Sequence, residues 1–217
     1  MNTRIPDDLL LDQPDPFVVQ INTPDAQGRT PLRQAAFGDD HEMVSALIRS
    51  GANPNLPDGQ GKKPLQHARS GDVAIALIAG GADMEVRDEE GRTPLHNAVY
   101  NPLQVAPGAN YANRDLTHAL LAAGADVNAA DDEGHTPLHL TKDPHTAANL
   151  VKAGADVTIE DSQGRRPTDG ALPDKISAIE RERAKLETPS PLAGLYAALD
   201  APAEPVAPRP PRVRQRC

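Results

Sequence analysis

Histidines are the residues in this sequence best suited to bind a metal or to transfer protons. The seven of them are His41, His67, His96, His118, His135, His139 and His145. A zinc site needs closely spaced ligands, such as two histidines on one helix flanking a glutamate, or histidines combined with cysteines. No histidine pair of that kind occurs, and the single cysteine, Cys217, is the last residue. The spacing therefore predicts no metal site and no cofactor.

Motifs for nucleophilic catalysis and phosphate binding are also absent from the sequence. Gly-x-Ser-x-Gly does not occur, and serines such as Ser45 and Ser177 lie in helix or linker contexts. Gly80-Gly81-Ala82 is a recurring helix end and not a phosphate loop. Most carboxylates occupy turn positions that recur along the chain. The sequence predicts a protein that is not an enzyme, and an enzyme with an unrecognised site is a less favoured alternative.

Two short patterns recur along the chain, which indicates a protein built from stacked repeats. The first, Gly-x-Thr-Pro-Leu, is typical of a turn followed by a helix, because glycine permits positive φ and Thr-Pro suits a helix start. The second is an apolar run closed by Gly-Ala-Asp or Gly-Ala-Asn, typical of a helix that ends at a glycine. The first lies at residues 28–32, 91–95 and 134–138, with weaker copies at 61–65 and 164–168, and the second at 47–53, 77–83, 120–126 and 150–156.

The first unit shows the predicted structure in detail. Thr30 and Pro31 are predicted to open its first helix, and Gly51 to close its second helix. The second helix is predicted over about residues 41–50, where the apolar spacing indicates one buried face. That face consists of Met43, Val44, Leu47 and Ile48.

These patterns resemble the ankyrin repeat, whose Thr-Pro-Leu-His core is complete at Thr93–His96 and Thr136–His139. The resemblance covers about residues 25–186 and implies an all-α, ankyrin-type helical solenoid with four clear repeats and a degenerate fifth. It also implies that His96 and His139 hydrogen-bond to the neighbouring threonine and tie adjacent units together. The predicted boundaries are 1–24 for an N-terminal cap, 25–57, 58–87, 88–130 and 131–160 for the repeats, 161–187 for the capping repeat and 188–217 for a disordered tail rich in Pro, Ala and Arg.

Three repeats depart from the length of repeat one. In repeats two and four, the separation between the opening proline and the closing glycine is three residues shorter than in repeat one. This difference predicts shortened helices and tight turns. Repeat three is ten residues longer, and its insertion, residues 101–114, contains two prolines and Gly108, so we expect a loop there. In the capping repeat a helix is predicted over about residues 174–187. Its predicted apolar edge is Ile176, Ile179 and Leu186.

The resemblance implies a surface that recognises a protein, because ankyrin repeats usually bind partners through their turn tips and the first helices of a concave face. The residues predicted to bind protein are Gln27, Arg29, Phe37, Glu89, Glu90, Arg92, Tyr100, Tyr111, Asp132, Glu133 and His135. The acidic pairs at residues 89–90 and 132–133 favour a partner with a basic patch, although a solvated face explains them equally well. Arg29, Arg92 and His135 belong to a ladder of basic residues that this family commonly carries, which favours a structural role for them.

Aromatic residues make up only 2% of the chain, so the position of each one is informative. Phe37 lies at the end of the first inner helix, and Tyr100 and Tyr111 bracket the insertion of repeat three. Tyrosine is enriched at the energetically dominant positions of interfaces. The two tyrosines either bind the partner or pin the insertion to the stack, and these roles are compatible.

Charge and hydropathy narrow the classes of partner. A formal net charge of -9 argues against nucleic acid as the main partner, and no apolar run approaches the ~20 residues of a membrane span. The first residues do not resemble a secretory signal peptide. We therefore expect a monomeric protein without a small-molecule substrate, located in the cytoplasm or delivered into a host cell. Few lysines and many Ala, Asp, Pro and Arg residues suggest a bacterial source, with the roles of effector and of regulator or inhibitor both open.

The end of the chain supports a rival function. Four arginines between residues 209 and 216 make this end basic, so an alternative is a scaffold tethered to nucleic acid or an anionic membrane. Prolines recur at every third residue from Pro202 to Pro211, a spacing that could present one edge to an SH3-like groove. An unstructured spacer is the simpler interpretation of these prolines.

Overall fold

The computed structural model describes residues 20–100 and 109–187, and in the second range it describes side chains from residue 114 onwards. Several predictions fall outside these residues. They are the N-terminal cap up to residue 19, the insertion at residues 101–108 and the disordered tail at residues 188–217. The domain boundaries that involve these segments stay predictions.

Helices in the described residues form two rows. The first-helix row contains α1 (Pro31–Phe37), a 3₁₀ helix (Pro64–His67), α4 (Pro94–Val99) and α6 (Pro137–Leu140). The second-helix row contains α2 (His41–Arg49), α3 (Gly71–Ala79), α5 (Ala109–Ala122), α7 (Pro144–Lys152) and α8 (Pro173–Glu187). Neighbours within each row pack against one another, and the two helices of a repeat also pack together. With no β-strand in the described residues, this part of the chain is the all-α solenoid that the sequence predicted.

The predicted start and end signals act as expected in repeat one. The Thr30 side chain accepts a hydrogen bond from Arg33 N at 3.1 Å, which satisfies one of the free amides at the start of α1, and Pro31 follows in the first turn. After α2, Gly51 adopts a φ of 90°, a left-handed conformation that costs glycine little. Both predictions are confirmed.

Each repeat opens with an aspartate that organises the turn. Its Oδ1 atom accepts hydrogen bonds from the backbone N–H groups two and four residues later, as Asp58 does from Gln60 and Lys62 at 2.9 and 3.0 Å. The five aspartates are Asp25, Asp58, Asp88, Asp131 and Asp161. These carboxylates are therefore structural, as their recurrence in the sequence suggested.

A line of leucines forms the core between the two rows. Leu32, Leu95 and Leu138 of the first-helix row are fully buried. In the second-helix row Val44 is buried and Leu47 and Ile48 are partly buried, as predicted. The prediction for Met43 is wrong, because 50% of its surface is exposed. Met43 lies about 100° around the helix from Val44, which turns it away from the neighbouring rows.

Helix lengths follow the spacing between proline and glycine. In repeats two and four the first helix has shrunk to four residues, in the 3₁₀ helix and in α6, which confirms the predicted shortening. In repeat three, α5 begins at Ala109, so the predicted loop is wrong for residues 109–114, which are helical. The two prolines of the insertion and Gly108 all precede this helix, and its first turns contain no residue that interrupts it.

The helix of the capping repeat, α8, spans 15 residues and agrees with its prediction. Its buried edge consists of Lys175, Ala178 and Ile179, with Ile176 partly buried. The prediction for Leu186 is wrong, since 62% of its surface is exposed. The neighbouring α7 has nine residues, so the last turns of α8 extend beyond the helix that would cover them.

Candidate functional site

An exposed phenylalanine, Phe37, is the last residue of α1. We call the surface formed by the first-helix row, to which α1 belongs, the first-helix face. About half of the surface of Phe37, 51%, is accessible, although burying a side chain of this size contributes about 2 kcal/mol. The guanidinium carbons of Arg33 and Arg69 lie 5.0 and 5.4 Å from the ring centroid. The ring of His67 meets it edge-on, with the centroids 6.3 Å apart. We call these four residues, Arg33, Phe37, His67 and Arg69, the Phe37 cluster.

A buried carboxylate, Asp58, holds two members of the cluster in place. Its Oδ2 atom lies 3.2 Å from Arg33 Nε and 2.8 Å from His67 Nε2. Burial raises the pKa of Asp58, but hydrogen bonds from the amides of Gln60 and Lys62 and from His67 outweigh burial and leave the pKa lowered. The carboxylate is thus ionised and can only accept, so His67 Nε2 donates to it.

The charge of the Phe37 cluster comes from its two arginines. Burial lowers the pKa of His67, and the Arg33 guanidinium lowers it further, so this imidazole is neutral at neutral pH. The cluster therefore presents a half-exposed aromatic ring with two cationic groups lying over it. Such a surface can contact an aromatic or aliphatic side chain and a carboxylate beside it.

A second aromatic residue, Tyr100, lies at the end of α4 and is 39% exposed. The guanidinium carbon of Arg92 is 4.9 Å from its ring centroid, so the structure brings two of the predicted binding residues together. Arg92 Nε is buried and lies 3.8 Å from Asp131 Oδ2, close enough for an ion pair but too far for a hydrogen bond. We call Arg92 and Tyr100 the Tyr100 pair.

The predicted acidic tips are exposed and adjacent. Glu89, Glu90, Asp132 and Glu133 all lie on the surface, and Asp132 N donates to Glu90 O at 3.1 Å, which joins the tips of repeats three and four. The Asp132 carboxylate packs over Gly91, at a position where a larger residue would clash with it. Four carboxylates therefore share one edge of the molecule and produce a negative potential there.

At the tip of repeat one, Gln27 and Arg29 contact each other. Arg29 Nε donates to Asp25 Oδ2 at 2.8 Å, and an amino group of Arg29 donates to Gln27 Oε1 at 3.0 Å. These predicted binding residues are already engaged within their own turn. This geometry supports the structural role that the sequence favoured for Arg29.

Two histidines tie the repeats together as the resemblance implied. His96 Nδ1 accepts from Thr93 N at 3.1 Å, so in the neutral ring, whose pKa is lowered by burial, Nε2 carries the proton. That Nε2–H donates to His135 O in the next repeat at 3.0 Å. His139 makes the same contacts, with Thr136 in its own repeat and with a carbonyl of repeat five. The structural role of both histidines is confirmed.

The predicted binding residue His135 lies between two turn aspartates. Its ring nitrogens are 3.4 Å from Asp131 Oδ2 and 3.5 Å from Asp161 Oδ2, and Glu133 is also 3.4 Å away. The side chain is largely buried by these contacts. His135 therefore connects repeats four and five, and its ring offers little surface to a partner.

Sequence reasoning missed three members of the Phe37 cluster. Arg33 lies four residues before Phe37 on the same helix, and that spacing could have revealed it. His67 and Arg69 come from repeat two, where the first helix is shortened. Only an alignment of the shortened repeat against repeat one would have placed them beside the ring.

Tyr111 lies in α5, among the residues whose side chains the structure does not describe. Its backbone is helical, so the residue belongs to the second-helix row. Its contribution to binding stays a prediction.

Two other kinds of functional element, a metal site and a membrane-spanning helix, are absent from the described ranges 20–100 and 109–187. No group of three or more His, Cys, Asp or Glu residues there is placed to hold a metal ion. None of the helices in those ranges has the length and hydrophobicity needed to cross a bilayer.

Comparison with protein-family models identifies the repeats. A model for ankyrin repeats (three copies) matches residues 8–88 and 32–107, and a model for the single ankyrin repeat matches residues 90–132. Together the matches run from residue 8 to residue 132, which is more than half of the chain. No curated protein matches the sequence.

Proposed function

This chain belongs to the ankyrin repeat family, and from that premise we propose that it binds a protein partner through its first-helix face and turn tips. Ankyrin repeats generally serve as protein–protein interaction modules. Fold alone does not determine function, so the proposal depends on the chemistry of this surface.

The observation that carries the proposal is the Phe37 cluster. Phe37 is half exposed, yet Arg33 and Arg69 flank its ring and Asp58 fixes Arg33. A ring held in one orientation loses little conformational entropy when a partner covers it. Aromatic residues and arginines also dominate the binding energy of most interfaces. The cluster therefore supports the role of an anchor for a partner's apolar side chain.

The partner's charge follows from two regions of the surface. The acidic tips of repeats three and four, at residues 89–90 and 132–133, favour Lys or Arg on the partner and accelerate association. The Phe37 cluster, with two arginines, favours a carboxylate beside an apolar residue. The proposed partner thus carries a basic patch facing repeats three and four and an apolar residue with an acidic neighbour facing repeats one and two.

The Tyr100 pair belongs to repeat three, and Tyr100 lies at the end of the first helix of that repeat. It adjoins the insertion, which we propose as the element that adds specificity. Family membership supports a non-catalytic role, since ankyrin repeats are typically interaction modules. We propose a monomer in the cytoplasm or in a host cell, acting as an effector or as a regulator of another protein.

The proposal is tested with Phe37→Ala, compared with Met43→Ala. Both residues are apolar and about half exposed, 51% and 50%, but Met43 lies on the second-helix row. Proteins captured from a host lysate and from bacterial cytosol are quantified with the wild type and with each variant. A partner should lose affinity about tenfold or more with Phe37→Ala and keep its affinity with Met43→Ala. A partner affected equally by both variants, or by neither, contradicts binding at the first-helix face.

The rival function, tethering by the basic tail, predicts a different result. Deletion of residues 188–217 leaves the repeats intact and removes the four terminal arginines. If the repeats recognise the partner, capture in about 150 mM salt survives the deletion. If the tail acts as the tether, binding to anionic vesicles or nucleic acid is sensitive to salt and disappears with the deletion.

A further inference from the structure

A pocket of about 430 Å³ opens between repeats four and five, away from the Phe37 cluster. Its walls come from α6, from the turn of repeat five and from the start of α8. Pockets of this size accommodate small organic groups. The pocket combines charged side chains with an apolar wall that includes Leu140, Pro167 and Leu172.

Cations outnumber anions among the side chains that line the pocket. The cationic ones are Lys142, Arg165, Arg166 and Lys175, and the carboxylates are Asp161 and Asp169. Asp161 accepts from Arg165 Nε at 2.8 Å, and Asp169 accepts from Arg166 N at 2.8 Å. Arg165 thus pairs with Asp161, and Arg166 pairs with Glu160 at 3.2 Å. Lys142 and Lys175 remain against Asp169, which leaves the pocket with a small positive excess in a chain whose net charge is -9.

Lys175 is the most unusual of these residues, because it is only 4% exposed. Its ammonium has three N–H donors, and it donates one of them to Leu138 O at 2.8 Å. No carboxylate of the described residues lies within ion-pair distance of it. Burial lowers the pKa of Lys175 to about 8, so the amine is still mostly protonated at neutral pH. A buried cation without a counter-ion is costly, and an anion in the pocket would remove that cost.

We propose that this pocket binds an oxyanion, a carboxylate or phosphate carried on an organic group with an apolar part. The ammonium of Lys175 hydrogen-bonds to the oxygens, with Lys142 adding charge at the rim. Arg166 donates two of its five N–H groups to Glu160 and hydrogen-bonds to the oxygens with the others. Leu140 and Leu172 contact the apolar part. The pocket shares no residue with the Phe37 cluster or the Tyr100 pair, so failure to bind an anion would leave the test of partner binding at Phe37 intact.

A purely structural role for Lys175 is the competing explanation. Helix α6 has four residues, which leaves carbonyl groups at its end without partners inside the helix, and Lys175 caps one of them. Capping requires one N–H donor and no pocket. It also predicts that anions show no preference for this site over other exposed lysines.

Phenyl phosphate, benzoate and inorganic phosphate serve as probes for the full-length protein at neutral pH. Titrations are followed by ¹⁵N–¹H NMR spectra and by calorimetry. We expect shift changes confined to the pocket, with phenyl phosphate binding more tightly than inorganic phosphate because it also contacts the apolar wall. Absence of localised changes up to about 10 mM of every probe would overturn the proposal.

Three variants separate a specific site from general charge attraction. Lys175→Met should weaken phenyl phosphate binding about tenfold or more, and Arg166→Met should also weaken it. Arg166 is exposed, so this second variant remains informative if Lys175→Met does not fold. The control is Lys152→Met, since Lys152 is exposed at the end of α7 and is not part of the pocket. Equal losses for Lys152→Met and Lys175→Met would overturn the proposal.

A competition experiment identifies the source of the oxyanion. A short acidic peptide is added to the complex with phenyl phosphate. Displacement supports the site and assigns it to an acidic group of a bound protein. Retention of phenyl phosphate supports the site and assigns it to a free organic anion.

Discussion

The ammonium of Lys175 is buried and has no partner of opposite charge among the described residues. Burial lowers its pKa from 10.5 to about 8, whereas an unfolded chain leaves the amine near its ordinary value. Below about pH 8 the amine is protonated in both the folded and the unfolded protein. The destabilisation caused by burying its charge is therefore fully present and constant there. Between about pH 8 and 10.5 the unfolded state binds more protons than the folded state, and stability must rise with pH.

Replacing Lys175 with methionine removes this dependence on pH. The free energy of unfolding of the wild type, measured against Lys175→Met, should rise by about 3 kcal/mol between about pH 8 and pH 10.5. Urea denaturation of both proteins at several pH values measures this rise. Tyrosines and the other lysines titrate in both proteins, so their contributions cancel when the two free energies are subtracted. A constant difference over this range would mean that the folded protein does not perturb the amine.

Residue-level predictions succeeded where a local pattern carried the information. Thr30 and Gly51 were predicted from their own chemistry, because capping and positive φ depend on one residue and its neighbours in sequence. Arg69 beside Phe37 and the burial of Lys175 depend on contacts with another repeat. Those contacts depend on the lengths of the shortened first helices, and a local sequence pattern does not predict these lengths.

At the scale of elements, the joint between repeats two and three differs from the other joints. Backbone hydrogen bonds join the tips of repeats one and two, three and four, and four and five. In the described residues no such bond joins the tips of repeats two and three. On the opposite edge, Asn55 and Asn128 each bridge two repeats with a pair of hydrogen bonds. The equivalent residue at the joint between repeats two and three is Glu85, which accepts one bond from Asp126 N at 3.0 Å.

Glu85→Asn should strengthen this joint. A carboxylate cannot donate, whereas an asparagine in the geometry of Asn55 accepts from Asp126 N and also donates to Gly124 O. We expect a gain of about 0.5–1 kcal/mol in the free energy of unfolding, measured by urea denaturation. Asn128→Glu, the reverse change at the next joint, should lose a similar amount. An unchanged or lower stability of Glu85→Asn would show that the joint is already satisfied.

Element lengths were partly predictable for a physical reason. Proline opens each first helix and glycine closes each second helix, so their separation predicted shortened helices in repeats two and four. The structure shows this shortening in the 3₁₀ helix and in α6. The same reasoning failed for the insertion, because it treated residues 101–114 as one segment. The helix-breaking residues lie before Ala109, and after them nothing prevents α5 from extending toward its N-terminus.

At the scale of the whole molecule, stability in such a stack is the sum of the repeats and of the interfaces between them. Between repeats two and three the second-helix row is in close contact, since a Cβ on Gly71 would lie 2.8 Å from Asp115 O. The first-helix row lacks a tip bond at this joint. The Phe37 cluster lies before the joint and the Tyr100 pair after it, so the joint sets the position of one proposed binding region relative to the other.

Because no backbone bond joins the tips at this joint, we expect the repeats to unfold in two blocks. Repeats one and two form the smaller block, so amides in α2 and α3 should exchange at lower denaturant concentration than amides in α7 and α8. Native-state hydrogen exchange at increasing denaturant, followed by NMR or mass spectrometry, measures both sets in one experiment. Glu85→Asn should bring the two sets closer together, because it strengthens the joint without changing either block. Identical denaturant dependence for all four helices in the wild type would instead mean that the stack unfolds as a single cooperative unit.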